Sequence, residues 1–95
     1  MKSSTSPNKV TPYFVYVLTC ADGTLYTGVT TNLERRVTEH NSSPRAAKYT
    51  KVRRPVTLTY HETYENRSLA QKREAEIKKM TRSEKELLVT SFPGV

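Results

Sequence analysis

One stretch, residues 13–41, constrains the fold more than any other: YFVYVLTCADGTLYTGVTTNLERRVTEHN. Its opening residues, 13–20, are dense in β-formers. Phe14, Tyr16, Leu18 and Cys20 alternate with Tyr13, Val15 and Val17, so both faces of this strand are apolar. That pattern suits a central strand covered on both sides. Asp22-Gly23 then signals a hairpin, and residues 25–30 form the return strand with Gly28 inside it. A glycine weakens a strand unless something must approach its backbone closely. Two registers are open. A two-residue loop pairs Ala21 with Thr24 and sends Tyr16 and Tyr26 to opposite faces. A three-residue loop, with Gly23 left-handed, pairs Cys20 with Thr24 and puts both tyrosines on one face. Thr31-x-x-Glu34 reads as a capping box, so a helix starts near Asn32 and stops before Pro44. Leu33 and Val37 define its buried stripe. Arg36 and His40, four apart, border that stripe on the side of the hairpin.

The remaining chain supplies partners for this unit. Residues 45–55, RAAKYTKVRRP, carry Arg45, Lys48, Lys51, Arg53 and Arg54 with no acid, and Tyr49 sits among them. The run reads as a loop with phosphate-seeking charges and one stacking ring. The plainer reading is a solvated basic loop. Residues 56–64 alternate Val56, Leu58, Tyr60 and Tyr64 against Thr57, Thr59, His61 and Thr63. This predicts a half-buried edge strand beside the first, with His61 a surface histidine on its polar face. Ser68-x-x-Gln71 predicts a second helix to about residue 79, with Leu69, Ala70, Ile77 and Met80 as its stripe. Glu74 shares that stripe, and an inward carboxylate is costly unless paired or bound to a metal. Ser83-x-x-Glu86 predicts a third helix over 82–90, packed through Leu87, Leu88 and Val89. The order is strand, strand, helix, strand, helix, helix, an α+β arrangement.

The 95 residues suffice for one small domain. Residues 13–90 are expected to form it, with a flexible basic tail at 1–12 and a short tail at 91–95. Hydrophobic residues make up 35%, so the core must be lean. Sixteen Lys and Arg against nine Asp and Glu give a formal charge of +7, which points to an anionic partner, nucleic acid foremost. Cys20 is the sole cysteine, which excludes an internal disulfide or a thiolate zinc site and fits a cytoplasmic protein. No apolar run approaches a membrane span, and the first residues lack the apolar middle of a signal peptide.

Five polar residues hold inward or border positions: Tyr16, Tyr26, Arg36, His40 and Glu74. Together they suit phosphodiester hydrolysis. One carboxylate can hold a divalent cation and leave positions for phosphate and water. An arginine can stabilise the extra charge of the transition state. A phenol or an imidazole can take the proton from water.

These residues resemble the GIY-YIG endonuclease family. Phe14-Val15-Tyr16 matches its first motif and Tyr26-Thr27-Gly28 its second. Asn32-Leu33 with Arg36 resembles its helix signature, and Tyr16, Tyr26 and Arg36 keep its ten-residue spacing. His40, four after the arginine, stands where several of its nucleases carry a histidine. Lys72-Arg73-Glu74-x-x-Ile77-Lys78 resembles the segment that bears its metal-binding glutamate. The likeness covers about residues 13–89, and the hairpin is most similar to those of small stand-alone bacterial members. Phe14 replaces the first motif's glycine, Val29 stands where repair-type members often have lysine, and no late asparagine follows Glu74.

The resemblance implies a three-stranded antiparallel sheet, first strand central, flanked by helices. It also implies hydrolysis of double-stranded or branched DNA with Mg²⁺ or Mn²⁺, in repair or recombination. Tyr16 would be the general base, with Tyr26 orienting water or phosphate. Arg36 would stabilise the scissile phosphate, His40 would tune Tyr16 or relay its proton, and Glu74 would bind the metal. Gly28 would permit close backbone approach, and Arg45, Lys48, Tyr49, Lys51, Arg53 and Arg54 would hold the nucleic acid. With no second domain, such a chain would have weak sequence preference or borrow a protein partner. The alternative is a nucleic-acid-binding module that keeps the fold and cleaves poorly.

Overall fold

The computed structural model describes residues 11–91. Nearly all of the two expected tails lies outside these residues. Three strands form one antiparallel sheet: β1 (Tyr13–Thr19), β2 (Leu25–Thr30) and β3 (Thr57–Tyr64), in the order β2-β1-β3. The first strand is central and buried on both faces, and β3 is an edge beside it, as its pattern predicts. Four helices accompany the strands: α1 (Leu33–Ser42) and α2 (Lys48–Lys51) between β2 and β3, and α3 (Arg67–Lys78) and α4 (Arg82–Thr90) after β3. The one-turn α2 is an addition, because the basic run was expected to be loop throughout. Among the described residues no helix is long and apolar enough to cross a membrane.

The hairpin adopts the three-residue loop. Cys20 N–H donates to Thr24 O at 2.8 Å, and Gly23 N–H to Cys20 O at 2.9 Å. Gly23 has φ +84°, a conformation that glycine takes without steric cost. Asp22 Oδ1 pins the turn by accepting from the Thr24 amide and hydroxyl. The register follows: Leu18 lies opposite Tyr26, and Tyr16 opposite Gly28. Tyr16 and Tyr26 therefore share a face.

Each face of the sheet has its own core. Tyr16, Leu18, Cys20 and Val56 pack with Tyr26, Leu33, Val37 and Leu58 under α1. Val15, Val17, Tyr60, Ala70 and Ile77 pack with Leu88, Val89 and Met80 under α3 and α4. One correction concerns β3. Its apolar residues do not share a face, because Val17 pairs with Tyr60 while Leu18 pairs with Leu58. The extra residue, Thr59, is a bulge, and its hydroxyl bonds Val17 O at 3.2 Å and Thr19 Oγ1 at 3.1 Å. The bulge re-aims the strand. Val56 and Leu58 serve one core, and Tyr60 serves the other.

The helix caps also need correcting. Asn32 caps α1 by accepting from Arg35 N–H at 3.0 Å, not Thr31. Asn66 caps α3 by accepting from Leu69 N–H at 2.9 Å, so Ser68 falls inside the helix. Thr81 and Glu84 form the capping box of α4, in place of Ser83 and Glu86. Asparagine caps as well as serine or threonine, so motif spacing alone misassigns the cap. The stripes are narrower than expected too. Ala70 and Ile77 are fully buried, whereas Leu69 is 44% exposed and Leu87 is 72% exposed. Leu69 lies one position, about 100° of helix, from buried Ala70, and Leu87 lies the same step from half-buried Leu88.

A polar clamp absent from the pattern ties α3 to β3. The Glu62 carboxylate accepts from Tyr60 Oη, from Tyr64 Oη at 2.5 Å, and from Arg73 Nε and Nη2 at 3.0 and 3.1 Å. Arg73 immediately precedes Glu74, so the clamp fixes the helix that carries the predicted metal-binding carboxylate.

Candidate active site

A cleft of about 500 Å³ runs over the free edge of β2. Tyr16, Tyr26, Gly28, Arg36 and Glu74 all line it. These are four of the five residues picked out for chemistry and the glycine of the second motif. Glu74 reaches the cleft from α3, on the other side of the sheet from α1 and Arg36. An edge strand lets both helices reach one space.

Tyr16 is 1% exposed, and its hydroxyl lies 2.8 Å from His40 Nε2. Burial pushes the phenol up to about 12, against the opposing pull of nearby Arg36. His40 is fully buried behind it. Burial, with help from Arg36, holds its imidazole down to about 4, so it is neutral at physiological pH. The other ring nitrogen, Nδ1, lies 2.7 Å from Thr50 Oγ1. Thr50 is fully buried, and its hydroxyl donates to Ala47 O at 3.0 Å. The sequence pattern gave no reason to single out Thr50, which lies among the lysines and arginines of the basic run.

Gly28 faces Tyr16 across the strand pair. A Cβ there would lie 2.5 Å from Tyr16 Oη and 2.6 Å from Cζ. Gly28 thus makes room for the phenol ring. Tyr26 packs its ring 5.2 Å from His40 and 6.4 Å from Tyr16, centroid to centroid. Tyr49, 37% exposed, stacks on Tyr26 at 6.0 Å.

Arg36 donates through Nη1 to Glu39 Oε1 at 2.9 Å and to Arg45 O at 3.0 Å. These contacts hold the guanidinium at the cleft wall. Arg36 also keeps the Glu39 carboxyl below its ordinary range. Glu74, with its side chain 23% exposed, pairs through Oε2 with Lys78 Nζ at 3.1 Å. Among the described residues no three His, Cys, Asp or Glu side chains converge on a metal position. A single hard carboxylate on an open cleft fits an Mg²⁺-like cation that fills its remaining positions with water and phosphate oxygens.

The basic run divides in two. Arg45, Lys48 and Lys51 are exposed. Arg53 bonds Asp22 Oδ2 at 3.1 Å and Tyr49 O at 2.9 Å, with its guanidinium 3.8 Å over the Tyr49 ring. Arg54 donates to His40 O and Ser43 O, both at 2.6 Å, and so closes the C-terminal end of α1. His61 pairs with Tyr16 across the sheet but sits outside the cleft, its ring 6.1 Å from Phe14. Arg35, Arg67 and Gln71 also line the cleft, unforeseen because nothing in their spacing marks them.

This fold, with two tyrosines, an arginine and a glutamate around one cleft, defines a class. Residues 12–87 match the family model described as the GIY-YIG catalytic domain, and the chain belongs to the GIY-YIG family. It is similar to a UPF0213 protein of Desulfotalea psychrophila, 58% identical over 81% of this chain and 70% of that protein. A UPF0213 protein of Natronomonas pharaonis is 52% identical over 86% of this chain and 95% of its own length. Among solved structures, the solution NMR structure of the protein EF2693 from E. faecalis matches with 49% identity and a TM-score of 0.58, covering 84% of each chain. That of the UPF0213 protein BH0048 from Bacillus halodurans matches with 39% identity and a TM-score of 0.54, covering 83% of each.

Proposed function

We propose that this protein is a divalent-metal-dependent endonuclease that hydrolyses DNA phosphodiester bonds, acting in the cytoplasm in repair or recombination. The observation that carries the reading is the convergence of Tyr16, Tyr26, Arg36 and Glu74 on one cleft, with His40 behind Tyr16.

Tyr16 takes a proton from the attacking water while passing its own to His40 Nε2, leaving an imidazolium. The concerted exchange avoids a free phenolate, which a buried phenol near 12 would supply poorly. The water oxygen bonds to phosphorus, one P–O ester bond breaks, and its electron pair leaves on the alkoxide, which solvent protonates. His40 afterwards returns its extra proton through Tyr16 to solvent. Arg36 faces the charge that develops on the phosphate oxygens. Tyr26 orients water or phosphate from the adjoining wall. Glu74 would hold Mg²⁺ or Mn²⁺, whose chemistry there is neutralisation of the phosphate charge. Lys78, which pairs with Glu74 at 3.1 Å, would be a cation available to a phosphate of the substrate were that carboxylate to hold the metal.

The test is cleavage of plasmid and branched DNA with Mg²⁺, Mn²⁺ or EDTA. Wild type should cleave only with metal, and Tyr16→Phe, Arg36→Ala and Glu74→Gln should each lose at least about 100-fold. Equal cleavage by wild type and variants would identify a contaminant and sink the proposal. DNA binding without any metal-dependent cleavage would favour a binding module instead.

A further inference from the structure

We infer that Thr50 is a positioning residue: its hydroxyl holds His40 in the Nδ1–H tautomer and so keeps Nε2 open to accept the Tyr16 proton. The inference rests on the relay proposed above, yet its geometry stands apart from any cleavage.

The hydroxyl of Thr50 carries one hydrogen and has two polar neighbours. One is Ala47 O at 3.0 Å, which can only accept. The other is His40 Nδ1 at 2.7 Å. With its hydrogen on Ala47 O, the Thr50 oxygen presents lone pairs to Nδ1, so Nδ1 must carry the proton. Neutral imidazole has one N–H, and Nε2 is then a bare acceptor. Tyr16 Oη lies 2.8 Å from Nε2 and donates to it. Arg36, which lines the same cleft as the Tyr16 phenol, can only donate. The phenol hydrogen is thereby left for Nε2. The line runs from Tyr16 to His40, from His40 to Thr50 and from Thr50 to Ala47, with every hydrogen placed. The opposite tautomer breaks it at both ends. It turns the Thr50 hydrogen away from Ala47 O and makes Nε2–H a donor to the Tyr16 oxygen, so the phenol hydrogen can no longer pass to Nε2.

Burial makes the line consequential. His40 and Thr50 are both fully buried and Tyr16 is 1% exposed, so water cannot substitute for a missing partner. The position of Thr50 is itself determined by α2. The turn is closed by Thr50 N–H and Lys51 N–H on Ala47 O, at 3.1 and 3.0 Å. The short helix within the basic run thus has a purpose apart from its charges. It delivers one hydroxyl to the back of the imidazole.

The test compares wild type, Thr50→Val and Thr50→Ser at pH 7. Thr50→Val keeps the shape and deletes the acceptor, and Thr50→Ser restores it. Two-bond ¹H–¹⁵N correlation spectra of the histidine rings report the tautomer directly. Wild type and Thr50→Ser should show a protonated Nδ1 and a bare Nε2 at His40, and Thr50→Val should shift His40 toward the Nε2–H form. In plasmid cleavage, Thr50→Val should lose roughly 10- to 100-fold in kcat, the cost usual for a lost orienting partner. KM should hold, and Thr50→Ser should stay within a few-fold of wild type. An Nε2–H tautomer at His40 in wild type overturns the inference, and so does a Thr50→Val spectrum that keeps the wild-type tautomer. The spectra need no turnover. If wild type cleaves no DNA but the tautomers follow this order, the nuclease proposal fails and the positioning role stands.

Discussion

Two side chains at the site owe their behaviour to a missing atom and to missing water. Gly28 reads in sequence as a place where substrate nears the backbone, yet its nearest demand is internal. The Tyr16 ring fills the volume a Cβ would need, 2.5 Å away. Gly28→Ala must push that phenol off His40. The expected cost is about 1–3 kcal/mol in urea denaturation, as for other overpacked cores, together with loss of cleavage. A variant of unchanged stability and activity would refute this role. His40 carries a second consequence. Its folded value near 4 lies below the unfolded value of about 6.5. Between the two, the unfolded chain binds more protons, so stability rises with pH across that window and levels off above it. Lowering the pH from 7 to 4 should remove at most about 3 kcal/mol through this residue. Urea midpoints between pH 5 and 7 isolate it, because the lowered carboxylates Asp22, Glu39 and Glu62 protonate at more acid pH. His40→Gln should flatten the dependence there, and a persisting slope would assign it to another group.

Arg54 belongs to the scale of elements, since it holds the end of α1 to the segment leading into β3. Arg54→Ala should cost about 2–3 kcal/mol, the range of hydrogen bonds made by charged donors, and Arg54→Lys should recover part of it. An Ala variant as stable as wild type in thermal unfolding would show these bonds to be idle. The same scale shows what a reading of sequence can and cannot reach. The hairpin register was legible once Tyr16 and Tyr26 were required to share a face, because strand period and Gly23 leave two choices. The phase of Glu74 was legible from its spacing to Ala70 and Ile77. The bulge at Thr59 was not, since a perfectly alternating run conceals the residue that drops out of pairing. Thr50 was not legible either. Its value lies in a contact with His40, ten residues back, made through a helical turn that a basic loop does not advertise.

At the scale of the molecule, the +7 charge matters through where it is free to act. Arg53 and Arg54 are committed to Asp22, Tyr49 and the end of α1, so neutralising them would disturb the fold along with any binding. Arg45, Lys48 and Lys51 are exposed on the segment that also delivers Thr50 to the site. A strand whose scissile phosphate meets Arg36 would pass near them, because the Arg45 carbonyl accepts from Arg36 itself at 3.0 Å. Each phosphate that such a cation neutralises releases counterions and contributes about 0.9 to the slope of log K against log salt on duplex DNA. The triple variant Arg45→Gln, Lys48→Gln and Lys51→Gln should therefore lower that slope by up to about 2.7, with thermal stability held. Arg67→Gln, on the far wall of the cleft at α3, should lower it by about 1 more if the strand crosses the β2 edge. A triple variant with the wild-type slope would remove the basic segment from the binding surface. Its role would then be confined to holding His40 through Thr50.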